Sequence, residues 1–197
     1  MNFCNSCGSR LVKTVPSDDD RQRHVCSDCG IVHYQNPKIV TGCLPVWRNS
    51  VLLCRRAIEP RKGFWTLPAG FMELDETVEQ GAMRETWEEA RARVEILAPY
   101  SMFSLPHVNQ LYIIFRARLT DGKFEPGPES EEVHLFAEQD IPWDDLAFGT
   151  VRQTLMFFFE DRARDRFPIR TGTIIREKNG FRFEATPDDQ LLVAKSP

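Results

Sequence analysis

The sequence predicts an α/β protein in which helices cover both faces of a mixed β-sheet, preceded by a small cysteine-rich segment. Strand-like and helix-like patterns alternate over residues 36–165, and four cysteines stand in two pairs before this region. A turn signal with flanking apolar runs follows it. We therefore expect three pieces: residues 1–35, residues 36–165, and a C-terminal extension of residues 166–197.

The N-terminal segment has the cysteine spacing of a metal site. Cys4 and Cys7 are followed after eighteen residues by Cys26 and Cys29, which gives C-x2-C-x18-C-x2-C. This spacing is typical of a structural zinc site with four thiolates. A secreted disulfide pair or a redox dithiol are the alternatives, but no apolar signal-like run opens the sequence. We expect structural Zn²⁺, needed for this segment to fold, and a cytoplasmic location where thiols stay reduced.

The central region predicts a sheet with two helices. The first two strands should form a hairpin around Arg48–Ser50. The predicted strands, in chain order, are Ile39–Trp47, Val51–Arg56, Phe64–Leu67, Val94–Phe103, Gln110–Leu119 and Leu135–Ala137. A helix at Val151–Arg164 should bury a stripe of Leu155, Met156 and Phe159. After it, Asn179-Gly180 predicts a tight turn between strands at Thr173–Lys178 and Phe181–Thr186.

The other predicted helix carries an acidic cluster. Thr77 and Gln80 fit a capping box that starts it. At about 100° per residue, Glu85, Glu88 and Glu89 fall within an arc of roughly 100°. The neighbouring arc should be buried and contains Val78, Ala82, Met83, Thr86, Trp87 and Ala90.

Two interpretations of this cluster are open. A solvated helix face could carry the charges, with Arg84 paired to Glu88 four residues later. Glutamates three and four residues apart repel each other, however, and no lysine is interspersed among them. Carboxylate oxygens are ligands that hard divalent cations prefer, so the cluster favours a metal site.

A longer pattern surrounds the acidic cluster. Gly70, Glu76, Arg84 and the three glutamates stand at the spacing G-x5-E-x7-R-E-x-x-E-E. The segment Gly70 to Ala92 thereby resembles the signature of the Nudix hydrolases, and the resemblance implies their α/β/α sandwich. Thr86 replaces an aliphatic residue of the family pattern, and Arg91 and Ala92 replace its glycine and last aliphatic residue. None of these departures removes a metal ligand.

The resemblance implies roles for individual residues. Glu85, Glu88 and Glu89 match the glutamates that bind Mg²⁺ or Mn²⁺, and Gly70 matches the glycine whose carbonyl completes the coordination. Arg84 matches the arginine that orients one glutamate, and Glu76 matches a supporting group. Many relatives take a general base from outside the motif. Glu132 is the best candidate for that role after Glu89, and Glu129 is the next candidate.

The resemblance extends along most of the chain. The cysteine pairs, the run Phe64–Gly70, the motif and the run Pro126–Ser130 follow one another as in the zinc-ribbon Nudix hydrolases, and most closely as in FAD and ADP-ribose pyrophosphatases. These relatives imply a small nucleotide substrate and, often, a homodimer. The aromatic candidates for stacking on a flat ring are Trp65, Phe103, Tyr112 and Phe148.

Two other functions are considered. NADH pyrophosphatases and NAD-RNA decapping enzymes also join a zinc ribbon to a Nudix domain, but their downstream SQPWPFP motif has no match here. A non-catalytic binding module is the other alternative. The 197 residues carry a net charge of -4 and are 42% hydrophobic, and the first 35 balance four basic residues against four aspartates. Neither nucleic acid nor a membrane is therefore an expected partner.

Overall fold

The structure is a computed structural model that describes residues 1–178 and 180–187. The chain divides into two compact units, Met1–Pro37 and a second that begins at Lys38. Among the described residues, no helix combines the length and the hydrophobicity needed to cross a membrane.

The first unit is a small three-stranded antiparallel sheet. Its strands are β1 (Leu11–Thr14), β2 (Arg23–Cys26) and β3 (Val32–His33), in that order across the sheet. Most of its apolar side chains are exposed, including Phe3, Val12, Val15, Ile31 and Tyr34. Burial of these side chains does not provide a core, which is typical of small units that depend on a bound metal for their stability.

The second unit is built on a mixed sheet. Its strands are β4 (Lys38–Trp47), β5 (Ser50–Arg56), β6 (Trp65–Thr66), β7 (Ala69–Phe71), β8 (Val94–Leu105), β9 (Gln110–Leu119), β10 (Ser130–Phe136), β11 (Arg170–Glu177) and β12 (Gly180–Ala185). The sheet order is β10-β5-β4-β9-β8-β11-β12, with β6 paired to β5 and β7 paired to β4. The pairs β4/β9 and β8/β11 are parallel, and the other pairs are antiparallel.

Two helices cover opposite faces of this sheet. Helix α1 (Val78–Ala90) packs Ala82 against Cys43 of β4, whereas α2 (Gly149–Ala163) packs Leu155 and its neighbours in the core that contains Leu44. Successive side chains of a strand point to opposite faces, so the two helices lie on different sides. The predicted α/β/α sandwich is confirmed.

The sequence patterns placed most elements within a few residues of their bounds. The predicted hairpin forms, with Val46 opposite Val51. Strand β10 begins at Ser130, five residues earlier than predicted, and β7 was not predicted because three residues are too few for a periodic signal. Strands β11 and β12 pair antiparallel, but Asn179 of the predicted turn lies outside the described residues.

Three residues predicted to be buried are exposed. Met83 is 38% exposed, Trp87 42% and Met156 50%. In α1 the buried side instead includes two of the glutamates, so the helix is rotated relative to the prediction. In α2 the buried stripe contains Phe158, which is 2% exposed and larger than methionine, and Met156 points to solvent instead.

Candidate active site

The four N-terminal cysteines come together in one cluster. The sulfur atoms of Cys4, Cys7, Cys26 and Cys29 all lie within 4.8 Å of one another. Gly8 and Gly30, at φ 76° and 73°, donate from their amides to the carbonyls of the first cysteine of each pair at 3.0 and 3.2 Å. These two matching turns aim both pairs at a common point, as a tetrahedral zinc site requires.

The other two cysteines are buried in the second unit. Cys43 and Cys54 are 0% and 1% exposed. Burial raises the pKa of the Cys43 thiol to about 12 and that of the Cys54 thiol well above its usual value. Both are therefore apolar core residues rather than nucleophiles.

Helix α1 starts where the sequence predicts. Thr77 accepts a hydrogen bond from the Gln80 amide at 3.2 Å, and the Gln80 side chain accepts one from the Thr77 amide at 2.7 Å. This reciprocal cap satisfies two amides that have no acceptor within the helix. The start of α1 fixes the rotation of the glutamates two turns later.

Arg84 holds the acidic residues in place. It donates to Glu85 at 2.7 Å, to Glu88 at 3.0 Å and twice to Glu76, at 2.9 and 3.0 Å. It also donates to the carbonyl of Phe71 at 3.0 Å, which ties α1 to β7. Hydrogen bonds from Arg84 lower the pKa of Glu76 to about 2. Glu76 is thus the main counterion of Arg84, and it leaves the other glutamates with excess negative charge.

Glu89 is a buried carboxylate next to another carboxylate, and this environment disfavours its ionised form. It is 6% exposed, and Glu85, one turn earlier, is 9% exposed. Burial, followed by the nearby charge of Glu85, raises the pKa of Glu89 to about 8, and Arg56 offsets only part of this. Burial also raises the pKa of Glu85. Glu85 and Glu89 are both buried, and the nearby positive charge does not balance them. A bound cation would stabilise their ionised forms.

Gly70 has to be a glycine because of the glutamates. A Cβ built on it would lie 2.4 Å from the carboxylate of Glu85. The backbone of β7 therefore approaches that carboxylate more closely than any side chain would allow. This places backbone and carboxylate groups side by side at the same wall.

The segment after β9 is fastened to the C-terminal end of α1. The amides of Glu125 and Gly127 donate to the carbonyls of Ala90 and Glu89 at 2.8 and 2.9 Å. A Cβ on Gly127 would come within 1.7 Å of the Glu88 carbonyl oxygen. This close contact carries Glu129 to the same cavity as the glutamates of α1.

Glu132 is not among the described residues that line this cavity. It lies on β10, where it accepts a hydrogen bond from Arg55 at 2.7 Å and has His134 at 3.3 Å. A β-bulge between Ser130 and Glu132 interrupts the register of β10 with β5 at this point. Glu129, which precedes the bulge, lines the cavity, and a bulge in an acidic run leaves no sign in the sequence.

The cavity has a volume of about 1150 Å³. Glu85, Glu88, Glu89, Gly70 and Arg84 all line it, as does Tyr112. Phe103 is fully buried against Phe157 and Phe183, and Trp65 packs edge-on to Phe136 with ring centroids 4.9 Å apart. Trp65 is half-buried, and neither of these two rings is among the described lining residues, whereas Phe148 is. The sequence showed aromatic residues but not which of them faces the cavity.

Comparison with known proteins agrees with this geometry. A model of the NUDIX domain matches residues 36–156, and a model named Nudix N-terminal, a zinc ribbon, matches residues 2–35. The chain belongs to the Nudix family. The crystal structure of a Nudix hydrolase from Nitrosomonas europaea is 50% identical and covers 89% of this chain and 100% of its own, with a TM-score of 0.87.

Curated relatives are more distant. The NAD-capped RNA hydrolase NudC of Chromobacterium violaceum is 34% identical over 83% of this chain and 60% of its own length. The ADP-ribose pyrophosphatase of Methanocaldococcus jannaschii is 29% identical over 55% of this chain and 67% of its own. The chain thus spans about 60% of the length of the first of these Nudix relatives.

The residues present fit the divalent metal that Nudix enzymes use. The donors are carboxylate oxygens, which suit Mg²⁺ or Mn²⁺, and two of the carboxylates are buried with excess negative charge. Arg84 draws Glu85 and Glu88 to itself, so the three carboxylates do not cluster as tightly as the thiolates do. A cation at the wall formed by α1 and Gly70 would compensate the charge that Arg84 leaves unbalanced.

Proposed function

We propose that this Nudix protein hydrolyses the pyrophosphate linkage of a nucleoside diphosphate derivative, with FAD or ADP-ribose as the preferred substrates. The observation that carries the proposal is the burial of Glu85 and Glu89 in the wall of a cavity large enough for a dinucleotide. A buried acidic wall repels a pyrophosphate unless a cation lies between them. The site can therefore bind a pyrophosphate when a metal ion is bound to its carboxylates.

Each residue then has a distinct task. Glu85, Glu88 and Glu89 would hold Mg²⁺ or Mn²⁺, with the Gly70 backbone beside them. The metal, when bound, offsets phosphate charge and lowers the pKa of a bound water. Arg84 orients Glu85 and Glu88, and it takes its own orientation from Glu76. Water adds to one phosphorus, the P–O–P bond breaks, and each product leaves as a monophosphate.

Glu129 is the proposed general base outside α1, in place of Glu132. It lies on the segment anchored by Gly127 and lines the cavity beside the α1 glutamates. Glu89 is the alternative base within the helix. A Glu129→Gln variant separates the two, because it should lower kcat without weakening metal binding, whereas Glu89→Gln should do both.

The second candidate is hydrolysis of NADH or of NAD-capped RNA. The NudC relative of Chromobacterium violaceum, matched over 83% of this chain, favours it, and an RNA partner would follow from it. The run Asp140–Asp144 shares only Pro-Trp with the SQPWPFP motif of that branch. For this reason we rank it second. A homodimer and a cytoplasmic location stay predictions.

A substrate screen tests these alternatives. Purified protein with Mg²⁺ is given FAD, ADP-ribose, NADH and NAD-capped RNA, and products are separated by chromatography. We expect the highest kcat/KM with FAD or ADP-ribose. A tenfold higher value with NADH or with capped RNA would transfer the protein to the second candidate. Absence of turnover with all four would support a non-catalytic binding module.

A further inference from the structure

Helix α2 begins at the wall of the cavity without a side-chain cap. Phe148 occupies the N-cap position, where serine, threonine, aspartate or asparagine is preferred, and forms no capping hydrogen bond. Gly149 and Thr150 follow it, and all three residues line the cavity. The first amides of a helix have no acceptor within the helix, and in this 15-residue helix they carry the positive end of a sizeable macrodipole.

Thr150 gives a second, independent indication of a ligand. It is 3% exposed, and its Oγ1 is buried without a hydrogen-bond partner. Buried hydroxyls nearly always have a partner, because an unsatisfied one is costly. On the same helix, the hydroxyl of Thr154 is satisfied by Ser101 at 3.0 Å. Of the two threonine hydroxyls on α2, the one at the helix start is therefore unsatisfied.

Arg56 brings a positive charge to the same place. Its guanidinium lies 5.3 Å from the centre of the Phe148 ring, and its Nε donates to the Pro60 carbonyl at 2.8 Å. The two terminal nitrogens donate to no acceptor within residues 1–178 and 180–187. Arg56 lines the cavity, held by one hydrogen bond with its bidentate edge available.

The backbone fixes this arrangement. Trp65 of β6 forms a bridge with Leu146, and the Ala147 amide donates to the Trp65 carbonyl at 2.8 Å. Strand β6 also pairs with β5, which ends at Arg56. Trp65 thus holds the segment before α2 beside the end of β5.

We propose that the N-terminus of α2, together with the Thr150 hydroxyl and the Arg56 guanidinium, is a phosphate-binding subsite. It would bind the second phosphate of the nucleoside diphosphate substrate, next to the phosphate that the metal would hold. The inference rests on the proposed function, and it assigns the second phosphate to groups outside the Nudix motif. Backbone amides at a helix start, a hydroxyl donor and a bidentate arginine are the groups that recognise phosphate.

The test is equilibrium binding of α,β-methylene-ADP in the presence of Mg²⁺, measured by calorimetry. This probe cannot be cleaved, so the result does not depend on turnover. We expect Thr150→Val to weaken binding roughly tenfold and Arg56→Gln by about ten- to a hundredfold, as loss of one charge-assisted contact does. Thr150→Ser retains the hydroxyl and should bind as the wild type does.

Matched controls separate recognition from folding. Arg152→Gln removes an exposed arginine of α2 that donates to the Trp143 carbonyl, and Ser101→Ala removes a buried, satisfied hydroxyl. Both should bind the probe normally, although Ser101→Ala should lower the melting temperature. Thr150→Val should leave the melting temperature of the ligand-free protein unchanged or raise it, because its hydroxyl has no partner to lose.

Failure of this subsite is distinguishable from failure of the proposed function. Wild-type affinity in both Thr150→Val and Arg56→Gln overturns the subsite even if the enzyme cleaves ADP-ribose, and so does absence of probe binding to the wild type. Weakened binding in these variants supports the subsite even if the wild type cleaves none of the substrates tested.

Discussion

The stability of the metal-free protein should depend on pH through Glu89. The folded state raises the pKa of this carboxyl from 4.5 to about 8, so between these values the folded protein binds more protons than the unfolded one. The free energy of unfolding then falls as pH rises through this window. At about 1.4 kcal/mol per pH unit, the loss is on the order of 4 kcal/mol by pH 8.

Glu89→Gln should remove this dependence, because the amide has nearly the same shape and cannot ionise. The assay is urea unfolding in EDTA at pH 5 and at pH 8. We expect the wild type to lose stability between the two and the variant to lose much less. Glu79→Gln, an exposed position in the first turn of the same helix, is the matched control.

Two results would refute this reasoning. The first is an equal fall in stability in the wild type and in Glu89→Gln, since the pH dependence would then arise elsewhere. The second is a wild type more stable at pH 8 than at pH 5 without metal. Added Mg²⁺ should restore stability at pH 8 to the wild type more than to the variant.

Three further predictions can be checked directly. Protein prepared without added zinc should contain one Zn²⁺ per chain, and less than about a third of an equivalent with intact thiols would contradict the ribbon assignment. Gly70→Ala should weaken Mg²⁺ binding and turnover, because its Cβ would meet the Glu85 carboxylate at 2.4 Å, and normal Mg²⁺ titration would disprove this. Asp161→Ala should cost about 3 kcal/mol in urea unfolding, because this buried acid accepts from Tyr100 and Arg170, whereas the exposed Glu160→Ala should cost under about 0.5 kcal/mol.

The sequence could predict the parts of the fold that depend on local patterns. The capping box predicts the start of α1, and the cysteine spacing predicts the cluster in the first unit. The structure contains both features. Residues 110–119 read as a strand and form β9 over the same bounds. These features depend on residues that are close together in the sequence, so the sequence alone is enough to predict them.

The sequence could not predict features that depend on tertiary packing. The acidic run contains both Glu129 and Glu132, and the sequence does not show that, of these two, only Glu129 lines the cavity. Trp65 and Phe103 are candidates for ring stacking because they are aromatic, but their residue type does not show that they pack against Phe136 and Phe183. Arg56 and Thr150 gave no signal at all, since an arginine at a strand end and a threonine in a helix are ordinary until α2 brings them to one cavity.

The most direct test of the account is product analysis with ADP-ribose and Mg²⁺, comparing the wild type with Glu89→Gln. Cleavage of the central linkage should release AMP and ribose 5-phosphate in equal amounts, and the variant should be slower by at least about a hundredfold. Release of ADP or of inorganic phosphate instead would contradict the proposed site of attack. A variant that retains more than about a tenth of wild-type turnover would contradict the role of Glu89.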